Sequence, residues 1–384
     1  MKKINILFLL CCLAIITGCI YPYEPKGMQE WENLLVVEGD IIANGTTVVK
    51  LSRSTKLSAD NTVSAESRAI VQVESSDGTV YPATEVSVGI YEAITSHLDP
   101  NVDYRLYIKT SEGKEYVSDY VPVCVSPPID SVAYSVNADS SALKVHITTH
   151  DPSNKTRYYS WLYEENWEVR AEHYSVFIYD RASERYVDRP RAENIYYCWN
   201  KRQSSSILDK TTKLSEDIIY HRNLVSIGAN DDRVSVLYCV QVSQKALTEE
   251  AYTYWENLLK NSEEMGGIFP TLPTEISGNI HAVHDSKEPV LGYINATTLT
   301  ISDRLFIGRN VLKRPSQWWL ACADTTIGLG ARNEANILFD MGYVPLLEAP
   351  LGMTIGMSWA PAECVDCRLF GTKDRPDWWP NSGI

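Results

Sequence analysis

Apolar and polar residues alternate in short runs along most of this chain, and turn signals separate the runs. Leu34-Leu35-Val36-Val37-Glu38-Gly39 reads as a strand ending in a turn. Ile41-Ile42 and Thr47-Val48-Val49-Lys50-Leu51 flank Asn44-Gly45, a pair that favours a tight hairpin because both residues tolerate positive φ. Ala69-Ile70-Val71-Gln72-Val73 and Val80-Tyr81 flank Asp77-Gly78, a second hairpin signal. Asp103 to Ile108 alternates, then turns at Ser111-Glu112-Gly113 into Tyr116-Val117. This spacing predicts a β-sandwich over residues 34–125, immunoglobulin-like in kind, with Tyr104 as a candidate corner tyrosine. Val125-Ser126-Pro127-Pro128 ends it, because proline interrupts a strand and stiffens a joint.

Residues 126–384 read as a larger β-rich domain. Val132 to Val136, Leu143 to Ile147, Tyr158 to Arg170 and Val234 to Val240 predict strands, and the polar stretch 199–232 predicts loops. Tyr159, Trp161 and Tyr163 fall on one strand face. With Trp167 they are candidate ligand-contact aromatics, since aromatic faces stack on sugars; strand packing is the competing use. Leu247, Ala251, Tyr254, Trp255, Leu258 and Leu259 form one apolar stripe, which predicts an amphipathic helix over 247–265. Thr248 can cap its start and Gly266-Gly267 can end it. Such a helix is expected to cover a sheet. Strands are expected again at Val290 to Ile294 and Arg304 to Ile307, whereas Cys364 to Ile384 promises little regular structure. The fold class is therefore mainly β, a sandwich followed by a β-rich domain with one covering helix.

The first 19 residues change the picture. Lys2 and Lys3 precede an apolar run from Ile4 to Ile16 that stops at Thr17-Gly18-Cys19. A charged start, a short apolar stretch and a small residue before a cysteine make a lipoprotein export signal. The run is shorter than the about 20 apolar residues a membrane span needs. The expectation is a signal peptide at 1–18, a lipidated Cys19, and a proline-broken tether over 19–33. Losing 1–18 removes Lys2 and Lys3 and no acid, leaving a formal charge of about −16 against −14 for the whole chain. That excludes nucleic acid, whose phosphates need clustered Lys and Arg, and leaves anchoring to the acyl chains.

Six cysteines then remain, and an even number in an exported chain favours disulfides. Cys198, Cys322, Cys364 and Cys367 could instead form a zinc site, but only one close pair exists. Cys364-Val365-Asp366-Cys367 lacks the following helix that a redox thiol needs. His281-Ala282-Val283-His284 would converge on a metal only in a turn. Gly228 to Asp232 has too few alternating carboxylates for calcium. No nucleophile elbow or phosphate loop is present. No metal or cofactor is expected.

The segments Leu35-Val36-Val37-Glu38-Gly39, Tyr104-x-Leu106, Gly113-x-x-Tyr116-x-Ser118, Cys198-Trp199 and Ala251-Tyr252-x-Tyr254-Trp255 follow one another in order. Gly266-Gly267-Ile268-Phe269, Gly278-Asn279-Ile280, Leu291-Gly292-Tyr293, Cys364-Val365-Asp366-Cys367-Arg368 and Pro376-Asp377-Trp378-Trp379 continue the series. In this order the chain resembles the Bacteroidota lipoprotein family catalogued as domain of unknown function 4249. Members of that family usually end in Gly-Gly and Pro-Asp-Phe-Trp; this chain has Phe370-Gly371 and Pro376-Asp377-Trp378-Trp379. The resemblance implies an outer-membrane lipoprotein, often encoded beside TonB-dependent receptors, with no established activity. It also implies that Cys198, Cys322, Cys364 and Cys367 are the structural set, with Cys124 and Cys239 an extra pair or free thiols.

Two functions follow as expectations. The first is a non-enzymatic lipoprotein of the outer membrane that partners a TonB-dependent transporter. The second is a surface glycan-binding or glycan-processing protein, motivated by Tyr159, Trp161, Tyr163 and Trp167. The sequence does not choose between the surface and the periplasmic face.

Overall fold

The computed structural model describes residues 33–55, 64–211, 216–264, 278–313 and 322–380. The expected signal peptide, Cys19, nearly all of the tether and Gly266-Gly267 lie outside them. Ten strands open the chain: β1 (Leu35–Glu38), β2 (Ile41–Ile42), β3 (Thr46–Arg53), β4 (Ser64–Ala65), β5 (Ile70–Ser75), β6 (Val80–Ser87), β7 (Ile90–Ile94), β8 (Tyr104–Lys109), β9 (Glu115–Ser118) and β10 (Val123–Cys124). The antiparallel order β1-β3-β7-β6-β5-β8-β9 makes one continuous sheet. Its alternation puts Leu35, Val37, Val49, Leu51 and Tyr91 of one half against Val71, Val73, Leu106, Ile108 and Tyr116 of the other, in one core. The sandwich is thus one sheet curled over itself. Tyr104 is buried, and its hydroxyl donates to the Asp99 carbonyl five residues upstream at 3.2 Å, the bond of a corner tyrosine. Asn44-Gly45 does turn the chain, but β2 does not pair with β3; β3 pairs with β1 and β7, and β2 is drawn to a later strand.

The second region contains β11 (Ile129–Val136), β12 (Ala142–His150), β13 (Tyr158–Arg170), β14 (Phe177–Asp180), β15 (Arg185–Asp188), β16 (Tyr197–Gln203), β17 (Ile207–Lys210), β18 (Ile218–Gly228), β19 (Leu237–Leu247) and helix α1 (Glu249–Glu264). β11-β12-β18 and β16-β13-β19 are separate sheets whose inner faces share a core. The loops expected over 199–232 are instead largely strands β16, β17 and β18. β16 and β18 edge their sheets and expose polar faces, so their composition resembles a loop. Helix α1 packs Ala251, Tyr252 and Tyr254 beneath Leu247 and Tyr293, and Thr248 Oγ1 accepts from Ala251 N at 3.1 Å.

The chain then returns to the first module. β20 (Ile280–Ala282) pairs with β9, and β21 (Ala296–Thr297) runs parallel between β10 and β2. A division at 125/126 therefore misplaces residues 278–298, which complete the first module; their partners are far away in sequence, so no local pattern reveals them. Gly292 (φ +140°) permits the close pass, because a Cβ there would lie 2.3 Å from the Val37 carbonyl oxygen. Straight after it, β22 (Leu299–Ile301) and β23 (Leu305–Gly308) join β19. The two modules also meet at the 126–128 joint and through two side-chain contacts. Gln244, fully buried, accepts from Trp161 Nε1 at 2.9 Å and donates to the Pro127 carbonyl at 2.8 Å. Lys245 pairs with Asp40, and Asn295 Nδ2 donates to the Ala246 carbonyl.

A third layer, which the sequence pattern does not announce, follows: β24 (Thr325–Gly328), helix α2 (Arg332–Asp340), β25 (Tyr343–Leu351) and β26 (Thr354–Pro361). Met357 and Trp359 on the inner face pack with Ala335 of α2 and Tyr179 of β14. No helix among the described residues is long and apolar enough to cross a membrane.

Candidate functional site

The four aromatics picked out as ligand contacts are not on the surface. Tyr159 and Trp161 are fully buried, and Tyr163 and Trp167 nearly so, all in the core between the two sheets. Burying a large apolar side chain gains about 1.5–3 kcal/mol, and β13 lies in mid-sheet with another sheet across its inner face. Those residues are therefore corrected to structural ones. Between Tyr163 and Trp167 on the same face stands Glu165, also fully buried. Its Oε1 accepts from Arg233 Nη1 at 2.7 Å and from Tyr238 Oη at 2.8 Å, and its Oε2 accepts from Arg202 Nε at 2.7 Å. Burial works against the Arg233 charge, but Asp231 and Glu165 outweigh it and hold the guanidinium protonated. Burial, helped by Glu165, pushes the Tyr238 phenol well up. Every group in this cluster is satisfied, so it reads as a structural ion network.

Asp217 is the strained acid of this core. Tyr159 Oη donates to its Oδ2 at 3.0 Å, while Oδ1 has no partner among the described residues. Burial raises its carboxyl from 3.8 to about 6. An acid whose folded pKa is raised binds its proton more tightly folded than unfolded. Its contribution is therefore best below about pH 4, declines between about 4 and 6, and stays low above. Asp217→Asn keeps an acceptor for Tyr159 and removes the charge. It is expected to stabilise the protein by about 2 kcal/mol at pH 7 and to change little at pH 4. Urea denaturation at both pH values reads this, and an equal effect at the two would sink it.

Cys198, opposite Val169, and Cys367 belong to this same core, at the β16 edge of the sheet. Cys198 bonds to Cys367 and Cys322 to Cys364, while Cys124 and Cys239 are unpaired. Burial pushes the Cys124 thiol up to about 11 and the Cys239 thiol up to about 12, so neither supplies a thiolate at neutral pH. The segment 362–380 passes the β16 edge as a strap, from Cys367 in this core to Trp379 beside Glu168 on the sheet's other face. Cys367 fixes it to β16, Trp199 and Thr372 exchange backbone hydrogen bonds, and Trp379 packs on Phe306 with ring centroids 5.8 Å apart. The Arg304 guanidinium lies 4.0 Å over the Trp378 ring. The sequence segments Cys198-Trp199, Cys364 to Arg368 and Pro376 to Trp379 thus describe one fastening.

Beside the strap is a cleft of about 280 Å³. Val169, Ala171, Phe370 and the Cys322–Cys364 disulfide wall it, and its polar lining includes Arg170, Glu172, Asp232 and Glu363. It is at the small end of the roughly 300–1,000 Å³ of ligand pockets. Burial, and proximity to Asp231, raise the Asp232 carboxyl; burial also acts on Asp231, but hydrogen bonds from Arg233 win and lower it. Asp231 thus belongs to the ion network and to a 3-10 turn rather than to a calcium loop. His281 and His284 are exposed, beside Asp119 at 3.2 Å and Glu115 at 4.0 Å respectively. No group of three metal-ligating side chains occurs among the described residues.

What the surface does concentrate is apolar area on the third layer. Ile337, Phe339 and Met341 project from α2 and its end, and Leu329, Leu347, Leu351, Met353 and Ile355 from the sheet. Patches of this kind mark contact surfaces. Their signal in the sequence is the stretch 349–362, which holds no Asp, Glu, Lys or Arg.

Among families, the one described as Domain of unknown function (DUF4249) matches residues 20–300. No curated protein matches the chain.

Proposed function

Because this chain belongs to the DUF4249 family, whose match covers residues 20–300, we propose that it works as a non-enzymatic lipoprotein anchored in the outer membrane, a docking partner of a TonB-dependent transporter. The observation that carries the docking is the exposed apolar edge of α2, where Ile337 and the C-cap residue Met341 stand one turn apart. Exposed apolar side chains in water gain by being covered. The stitched modules support a part that is held and presented as a unit. The glycan reading loses its carrier, since Tyr159, Trp161, Tyr163 and Trp167 fill the core.

The test is affinity purification from gently solubilised outer membranes through a C-terminal tag, followed by mass spectrometry. A stoichiometric barrel protein is expected in the eluate, and Ile337→Asp with Met341→Asp is expected to reduce it at least ten-fold. Recovery of the wild-type chain alone would remove the partner reading. Cys19→Ser is expected to release the chain from the membrane fraction, which tests the anchor separately.

A further inference from the structure

We propose that the apex of the β25–β26 hairpin inserts into the neutral surface of a lipid bilayer, as a second membrane contact beside the N-terminal one. The inference rests on the anchored reading above. β25 and β26 pair to the last residues, Leu351 with Thr354 and Pro350 with Ile355, leaving the two-residue turn Gly352–Met353. Gly352 has φ +61°, the position-one glycine of a tight primed turn. Met353 at the apex is 104% exposed, flanked by Leu351 at 39% and Ile355 at 58%. Leu329 joins this end of the sheet, because it follows the Gly328 that pairs with Gly356.

Shape and charge decide the occupant. A two-residue apex is convex and offers a protein partner little area to bury, whereas a fluid bilayer closes around a point. No charge between Glu348 and Glu363 has to be dehydrated when the tip enters. The whole chain carries a formal charge of −14, so an anionic surface repels the body and only an uncharged end can touch lipid cheaply. From Cys19 to Glu32 the chain reaches at most about 50 Å, which keeps the body near the bilayer and lets a weak apolar contact suffice.

The test replaces the natural anchor, so that it does not depend on it. The chain from Ile20 onward carries an N-terminal hexahistidine and is held on phosphatidylcholine vesicles through a nickel-chelating lipid. A polarity-sensitive fluorophore is placed on Met353→Cys or, as control, on Ile337→Cys, with wild type reporting any labelling of Cys124 and Cys239. Brominated lipid is expected to quench the label at 353 at least three-fold more than the label at 337, with a blue-shifted emission at 353. Aqueous iodide quenching the two labels equally would overturn the proposal. Protection of 353 that appears only when an outer-membrane barrel is added would overturn it too, and give the tip to a protein. Failure of the Cys19→Ser release would instead remove the anchored reading and leave this result standing.

Discussion

Replacing Cys198 and Cys367 together by alanine is expected to destabilise the folded protein by about 5 kcal/mol, with lower values down to about 2 kcal/mol if the unfolded chain keeps structure. The bond closes a loop of 169 residues, and the 42-residue loop of Cys322–Cys364 is nested inside it. Loop entropy grows only logarithmically, so the nested bond trims the effect little. Removing Cys322–Cys364 alone is expected to cost less, about 4 kcal/mol. The larger effect has a structural correlate. Cys367 ties to β16 the strap that lays Trp378 and Trp379 over Phe306 and Glu168. The double variant should therefore lose tryptophan burial on the outer face before the modules unfold, seen as an early red shift of emission in a urea titration. A single transition with a midpoint like that of the wild type would show that the strap is held by packing alone.

Much of this scaffold could be read from the chain, and the failures have physical causes. The 13 residues Tyr158–Arg170 read as a strand because the aromatics Tyr159, Trp161 and Tyr163 alternate there. Periodicity assigns Tyr159, Trp161 and Tyr163 to one face, but it does not say whether that face meets water or another sheet. Glu165 on the same face argues for water, and misleads, because its three partners come from 202, 233 and 238. Helix α1 is legible because its stripe is long; α2, nine residues with Ile337 and Phe339 exposed, has too little pattern. The place of residues 278–298 is hidden for a related reason, since hydrogen bonds to β2, β9 and β10 leave no trace in local composition. The disulfides are legible in the even cysteine count, and their four-cysteine set in the family resemblance. The apolar tip was not, since Leu351, Met353 and Ile355 look like any strand until the turn places them at an exposed end.

Glu165→Ala should be among the most damaging single substitutions, at about 3–5 kcal/mol. The loss comes less from the bonds given up than from the charges left behind. Arg233 is 8% exposed and always protonated; without Glu165 it keeps Asp231 but loses the partner on its buried side. Tyr238 Oη loses its acceptor in the same core, a further unsatisfied group costing about 1–3 kcal/mol. Arg202 is half exposed and turns to water at little cost. Glu165→Gln, which keeps an acceptor but not the charge, is expected to fall between wild type and alanine. The decisive measurement is a double-mutant cycle with Arg233→Met. Removing both charges should cost clearly less than the sum of the single losses, with a coupling of about 1–3 kcal/mol, because the apolar core left by Tyr163, Trp167 and Val240 tolerates a methionine and not a lone guanidinium. Strict additivity would mean that Arg233 draws its stability from Asp231 alone, and that Glu165 is an isolated acid which the core carries for another purpose.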